Sequence, residues 1–459
     1  MSRVANQISP VRPGKKAMID TSDATYQSSA VDQSAIEQQT MRRVFRRTLP
    51  FIVLAYIIAH IDRSNIAVAA FQMNKDLGLS AAEYGFAAGI FFLPYCLLEI
   101  PSNLMLVRYG ARRWIARIMI SWGIVGFMMA FCVSGSHSLY AVRFLLGAAE
   151  AGLYPGALYY LSLWFPVEYR ARVFAIFGTA LPIANLIGAP IAASLLELDG
   201  LLGLRGWQWV FIVESLPPVV FGFIFLKIMA DRPEEARWLA PDQREWLTKK
   251  LAADMERLPP VSGSSGWKQL FSSDVLGLSL VFAGSAAATT ALGLWMPQIL
   301  KEFGLSNFGA ATLNMIPYAS ACVAMLWWGA FSDRSKERVW RTILPLLVIA
   351  VSLAATLFTG SLVVLLVLLS ITLIGTYSVK GPFWALVNEW VPSRDAAGSI
   401  AQINALSNLA GFGATYLLGY IKNETGSFSQ ACLPLVTSAL AAAFTLWLLA
   451  RRHHRLVAA

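Results

Sequence analysis

The stretch Pro50-Phe-Ile-Val-Leu-Ala-Tyr56-Ile-Ile-Ala-His60-Ile-Asp62-Arg63-Ser-Asn65-Ile-Ala-Val-Ala-Ala-Phe71 sets an acid and a base half-way along an apolar run. As a helix rising about 1.5 Å per residue, the run is long enough to cross about 30 Å of hydrocarbon. A charge at that depth costs at least about 2.5 kcal/mol, so such groups face a bundle interior or a wet cavity. Asp62 and Arg63 are therefore functional candidates before anything else in the chain is read.

Composition extends the membrane reading outward. The chain is 56% hydrophobic and 14% charged, whereas soluble domains carry about 25% charged residues. Apolar runs and turn residues divide it into twelve spans, near 50–71, 81–105, 113–133, 138–161, 171–197, 207–229, 274–300, 308–331, 342–360, 362–389, 396–421 and 428–450. The ninth and tenth are separated only around Gly360-Ser361. The expected fold is an all-α membrane protein with its helices in two six-helix halves.

Lys and Arg orient the spans. They cluster before the first (Arg42, Arg43, Arg46, Arg47), after the second (Arg108, Arg112, Arg113) and after the fourth (Arg170, Arg172). They recur after the eighth (Arg334, Lys336, Arg338, Arg341) and the twelfth (Arg451, Arg452, Arg455), while the alternate loops carry few cations. The positive-inside rule then predicts cytoplasmic termini. The net charge of +10 is thus a topology signal rather than a sign of nucleic-acid binding. Cys96, Cys132, Cys322 and Cys432 match no metal-ligand spacing, so no metal is expected. Residues 1–45 read as a disordered polar tail without a signal peptide, 46–229 and 271–450 as the two halves, 230–270 as a charged cytoplasmic linker, and 451–459 as a second tail.

A repeat joins the halves. Asn103-Leu-Met-Leu-Val107-Arg108-Tyr-Gly110-Ala-Arg112 follows span two, and Gly329-Ala-Phe-Ser-Asp333-Arg334-Ser-Lys336-Glu-Arg338 follows span eight, six spans later. On these loops the chain resembles the major facilitator superfamily. Val107 stands where that superfamily usually has an acid, a loss common in one branch, the anion:cation symporter family. The resemblance to that branch runs over nearly the whole chain after residue 45. It rests on Asp62-Arg63-x-Asn65, Tyr95-x-x-x-Glu99-x-Pro101-Ser102-Asn103, Arg143-Phe-Leu-Leu-Gly147-Ala-Ala-Glu150-Ala-Gly152-x-x-Pro155-Gly156 and Gly381-Pro382-Phe383-Trp384. Within it, the blocks Gln72 to Leu79 and Gly110 to Ile118 look closest to bacterial carriers of tartrate, phthalate or 4-hydroxyphenylacetate.

The resemblance implies proton-coupled uptake of a small organic anion by alternating access in a bacterial inner membrane. The driving force is a proton gradient with no cofactor, the lipid bilayer is the other partner, and a monomer is the working unit. By the same resemblance Asp62 and Glu150 are the protonation candidates, and Arg63 the main cation for substrate. Physical chemistry reads these positions independently. Proton-coupled anion uptake needs a protonatable acid and a fixed cation, and Arg offers a planar fork for a carboxylate. Arg143 and Glu150 are seven apart and share a helix face, which makes Arg143 a partner that tunes the acid. Static ion pairs holding helices together remain the alternative for these charges.

Lys380 lies deep in span ten beside Gly381-Pro382, which can break a helix. It reads either as a second carboxylate anchor or as a snorkelling lysine. Tyr95, Trp384, Asn404 and His60 are further substrate candidates. Glu99, Asn103, Arg108, Gly110 and Arg112, with Gly329, Asp333 and Arg334, read as gate and loop positions. Gly147, Gly152 and Gly156 permit close helix packing, and Glu214 belongs to a structural block with Trp207 and Trp209 at the start of span six. No HExxH, GxSxG or phosphate loop is present, so the chain is not expected to be an enzyme. A proton-coupled antiporter exporting small organic compounds and a transporter-like sensor remain the competing readings.

Overall fold

The computed structural model describes residues 35–256, 272–335, 337–391 and 396–458, and these form helices joined by short turns, with no strand. Helix begins at Ala35, so the last part of the expected tail is ordered. Its apolar stripe explains why. Met41 and Val44 are buried while Arg42, Arg43, Arg46 and Arg47 point outward, the three-to-four spacing of an amphipathic helix. Residues 1–34 of the tail, 257–270 of the linker and Ala459 lie outside the described residues.

Span one is the single helix Leu49–Asp76. Span two consists of Ala81–Ile90 and Phe92–Tyr109, and span three is Ala111–Cys132. Span four is Ser136–Glu150 followed by Leu153–Ser162, and span five Val167–Gly178 followed by Ala180–Leu196. Span six is Gly206–Ile228, and the linker contributes the helix Pro241–Glu256. The second half continues with Ser273–Lys301, Asn307–Leu313 with Met315–Ser335, Val339–Ala355, Leu362–Trp390 and Ala396–Thr425, and ends with Leu433–Ala458. Ten of these stretches are long and apolar enough to cross a membrane. Spans four and eleven fall short for local reasons. The first is interrupted at Ala151 and Gly152, and the second carries Gln402, Asn404, Ser407 and Asn408.

Each half packs mainly within itself, span three against six and one against five, then ten against eight and nine. Span one packs against span seven across the halves, and two further pairs cross them, span two with eleven and span eight with five. Adding six to one pair gives the other, so the two halves are related by the repeat read from the loops. Lipid supplies no hydrophobic drive between helices, so close backbone contact has to hold them. At the crossing of spans two and eleven a Cβ on Gly85 would lie 2.9 Å from the Thr415 carbonyl and 3.2 Å from Gly419. Larger residues there would push the halves apart.

The halves are drawn together most tightly at the face opposite the cation-rich ends. Tyr84 donates to the Leu294 carbonyl at 2.8 Å, Asn74 to Gln298 at 3.4 Å, and the Lys301 ammonium sits 5.6 Å from the Phe71 ring. Farther toward the cation-rich face, Cys96 Sγ donates to the Ala405 carbonyl at 3.6 Å and Asn404 to Glu99 at 3.2 Å, while Asn185 donates to the Tyr377 hydroxyl at 3.4 Å.

Candidate functional site

Glu150 occupies the last turn of the first piece of span four, and the chain breaks immediately after it. Ala151 leaves the helical region and Gly152 takes φ +88°, a left-handed conformation that favours glycine. The break is stabilised from its neighbours. Ser102 Oγ donates to the freed Ala151 carbonyl at 2.7 Å and accepts from Trp114 Nε1 at 3.0 Å. A Cβ on Gly152 would lie 2.4 Å from that hydroxyl. Spans two, three and four therefore meet at the one point where span four stops being helical.

Arg63 reaches this point from span one. Its Nη2 donates to Glu150 Oε1, and its guanidinium carbon lies 5.0 Å from the centre of the Phe91 ring and 4.8 Å from that of Tyr95. Glu150 is wholly buried, whereas the Arg63 side chain keeps 16% exposure. The pair thus has one dry member and one at the edge of the space between the halves. A cation sandwiched by two rings and held by one carboxylate can exchange that carboxylate for another anion without moving far.

Arg143 does not pair with Glu150. It is fully buried, donates to the Ala87 and Ala88 carbonyls of span two at 3.3 and 3.2 Å, and lies 5.1 Å from the Phe91 ring. Seven residues put it on the right face but about 10 Å along the axis from Glu150. Its place is to lock span four against span two where Gly147 also approaches the Phe91 carbonyl.

Asp62 departs from the expected cluster more sharply. Adjacent residues on a helix point about 100° apart, and Asp62 turns toward spans three and six while Arg63 faces spans two and four. Asn65 donates to Asp62 Oδ1 at 3.3 Å, and the other oxygen, Oδ2, has no hydrogen-bond partner among the described residues. A Cβ on Gly126 of span three would lie 3.6 Å from Oδ1 and 2.4 Å from the hydroxyl of Ser215. Glu214 is not the interfacial block expected at the start of span six. It is 6% exposed, well inside the helix, and neither carboxylate oxygen finds a hydrogen-bond partner among the described residues.

Aromatic residues that the sequence reading passed over wall the Arg63 site. Tyr56 packs 4.6 Å from Phe177 and 5.4 Å from Tyr154, with His60 4.5 Å on its other side. Helical spacing was the available signal for Tyr56, which stands seven before Arg63 on the same unbroken helix. Tyr95 is buried against Arg63, as its place four before Glu99 allows.

In the second half, span ten runs unbroken through Gly381-Pro382. The proline removes one backbone donor, but the rest of the helix bridges the gap. Lys380 Nζ lies 4.3 Å from the Tyr377 ring, and no carboxylate among the described residues pairs with it. Trp384 packs against Phe282 and Phe383 at 5.0 and 5.3 Å. Asn404, a substrate candidate by resemblance, spends its amide on Glu99, while Asn103 donates to the Glu99 carbonyl at 2.8 Å.

The loop after span two has a partner that no motif reveals. Asp231, at the start of the linker, accepts from the Arg112 backbone N–H at 2.7 Å and lies 3.7 Å from its side chain. Gly110, at φ +90°, lets that carboxylate within 2.9 Å of where a Cβ would stand. Arg108 lies 5.7 Å from the Tyr109 ring. In the matching loop a Cβ on Gly329 would meet open space, and the side chains of Asp333 and Arg334, with Lys336, lie outside the described residues.

Comparisons with known proteins agree with this architecture. The family model described as the Major Facilitator Superfamily matches residues 52–415. Two proteins of Agrobacterium vitis that carry the name "putative tartrate transporter" are 45% and 43% identical, covering 86% and 88% of this chain and 91% and 90% of their own. A quinolone resistance transporter of Acinetobacter baumannii is 33% identical over 86% of this chain and 91% of its own. Among solved structures, the xylose transporter XylE from E. coli in a partially occluded inward-open conformation superposes with a TM-score of 0.71, at 14% identity, over 88% of this chain and 97% of that one. That likeness concerns the fold.

Proposed function

The chain belongs to the Major Facilitator Superfamily, and from that premise we propose that it is a proton-coupled symporter taking up a small organic carboxylate, such as tartrate, by alternating access. The observation that carries the reading is the Arg63–Glu150 pair. In it a solvent-edged guanidinium is held by a buried acid beside a helix break. Protonation of Glu150 releases Arg63, and the incoming carboxylate takes the vacated place on its planar fork. Carriers of this kind hold their sites near the midplane between repeats. Lys380, facing the same space without a carboxylate of its own, is the second anchor in this reading. The identity of the Agrobacterium vitis relatives supports an organic anion as cargo.

In the proposed orientation the cation-rich ends are cytoplasmic in a bacterial inner membrane, and the chain works as a monomer. The test is uptake into proteoliposomes with and without an inward pH gradient, after a thermal-shift screen against small carboxylates. Gradient-driven accumulation of a stabilising carboxylate is expected, and accumulation indifferent to the gradient would refute the coupling. The quinolone resistance relative motivates a second reading, proton-coupled export of organic compounds. Outward movement of such compounds against their gradient would favour it.

A further inference from the structure

Behind Arg63, on the far side of span one, a second set of buried polar atoms has no role in the site just described. Among the described residues, Asp62 Oδ2, Asn65 Oδ1, both carboxylate oxygens of Glu214 and the Ser215 hydroxyl all lack hydrogen-bond partners. The four residues are buried, at 1%, 3%, 6% and 1% exposure. They converge from two spans onto a third. Ser215 Oγ and Asp62 Oδ1 both approach the Gly126 backbone, and the Asn65 amide donates to Asp62 Oδ1 at 3.3 Å within electrostatic reach of Glu214. Buried polar groups are normally satisfied, so several orphans in one place indicate something that the heavy atoms alone do not supply.

The charges around the cluster narrow what that is. Asp62 lies within electrostatic reach of the acid Glu150 and of the cations Arg143 and Arg63. Glu214 feels Asp62 and the Asn65 amide. Span six packs against spans three, one and five, and the cations of span three, Arg112, Arg113 and Arg117, lie at its cation-rich end. Span one carries Arg63 and Lys75 and span five Arg170 and Arg172, and among the described residues none of these cations pairs with Glu214. Two ionised carboxylates sharing a dry space repel each other and lose their hydration, and such pairs hold one proton between them.

We propose that Asp62 and Glu214 form a proton-sharing acid pair bridged by Asn65, which makes Glu214 a further proton-binding residue of the N-terminal half. The proton occupies one carboxyl and donates toward the facing acceptors, Asp62 Oδ2 or Asn65 Oδ1, so the pair carries a single negative charge. Asn65 also lines a small cavity between the halves, together with Ser64, Asn185, Asn314 and Tyr318. The bridge therefore touches the seam that rearranges when the halves rock, and the occupancy of the pair can follow that motion. This part of the inference rests on the proton-coupled reading above.

The experiment uses the full-length protein in proteoliposomes and in detergent. Infrared difference spectra between high and low pH are recorded for wild type, Asp62→Asn, Glu214→Gln, Glu214→Asp and the Asp62→Asn/Glu214→Gln double variant. A protonated-carboxyl band that disappears in Glu214→Gln, moves in Glu214→Asp and shifts in Asp62→Asn is expected. The pH midpoint of uptake should shift in Glu214→Gln by about one pH unit, a tenfold change in proton affinity. The double variant should resemble the singles, because one shared proton is lost only once. A folded Glu214→Gln with the wild-type band and pH profile would overturn the inference while leaving proton coupling intact. Should Glu214→Gln fail to fold, an unmoved band in Glu214→Asp would overturn it equally. Sodium-dependent uptake at fixed pH, with no carboxyl band, would assign the cluster to a metal cation and overturn it too. If the band is present but wild type moves no protons with substrate, the coupling reading fails and the acid pair stands by itself.

Discussion

Asn404 of span eleven donates to Glu99 of span two at 3.2 Å, one helical turn beyond the point where Cys96 of span two donates to the Ala405 carbonyl. These bonds join the halves toward the cation-rich face. A single hydrogen bond contributes about 1 kcal/mol, enough to bias a rocking equilibrium roughly fivefold. In a variant that keeps Cys96 as its one thiol, Asn404→Ala should raise the maleimide labelling rate of Cys96 by about that factor. An unchanged rate would mean that the bond does not hold the cleft.

Arg63 and Glu150 form a pair whose members fail differently. Arg63→Ala leaves Glu150 buried without its partner, a loss of about 3–5 kcal/mol, and should abolish both stability and carboxylate binding. Glu150→Gln keeps the guanidinium and a neutral acceptor of the same shape. On the proposed coupling it retains substrate counterflow and loses gradient-driven accumulation. Counterflow and pH-driven uptake measured side by side distinguish these outcomes, and accumulation at the wild-type level in Glu150→Gln would remove Glu150 from the coupling.

The break in span four depends on Gly152 and Ser102. Gly152→Ala adds a Cβ 2.4 Å from the Ser102 hydroxyl at a backbone φ of +88°, and should destabilise the protein by more than 1 kcal/mol. Ser102→Ala leaves the Ala151 carbonyl and the Trp114 indole without their partner, at about 1–3 kcal/mol. Thermal unfolding in detergent checks both. The double variant should lose less than the sum, because both changes act on the same contact.

The all-helical spans were legible because apolar runs and a charge bias each extend over many residues. The directions of single side chains were not. Asp62 and Arg63 are neighbours in sequence, yet one helical step sends the first to spans three and six and the second to span four. Glu214 looked interfacial because Trp207 and Trp209 precede it closely, and no motif marks its carboxyl as buried within reach of Asp62. Pro382 carried a break signal without a break, since a membrane helix with packed neighbours tolerates one missing donor. The Arg63–Glu150 contact, by contrast, was within reach, because both residues lie near mid-span and carry opposite charge.

Asp231 supplies the acid that Val107 leaves missing from the loop after span two. Gly110 is the N-cap of span three and has no side chain to satisfy the first turn, and Asp231 accepts from the Arg112 N–H in its stead. Replacing a cap acceptor by Ala costs about 1 kcal/mol, whereas the half-exposed ion pair with the Arg112 side chain adds at most a few tenths. Asp231→Ala should therefore lower the unfolding midpoint measurably, while Asp231→Asn, which keeps an acceptor oxygen, should stay within about 0.5 kcal/mol of wild type. Equal losses in both variants would make the charge, not the cap, the reason for the carboxylate. Gly110→Ala should cost more than either, since it closes the space through which Asp231 reaches the helix end.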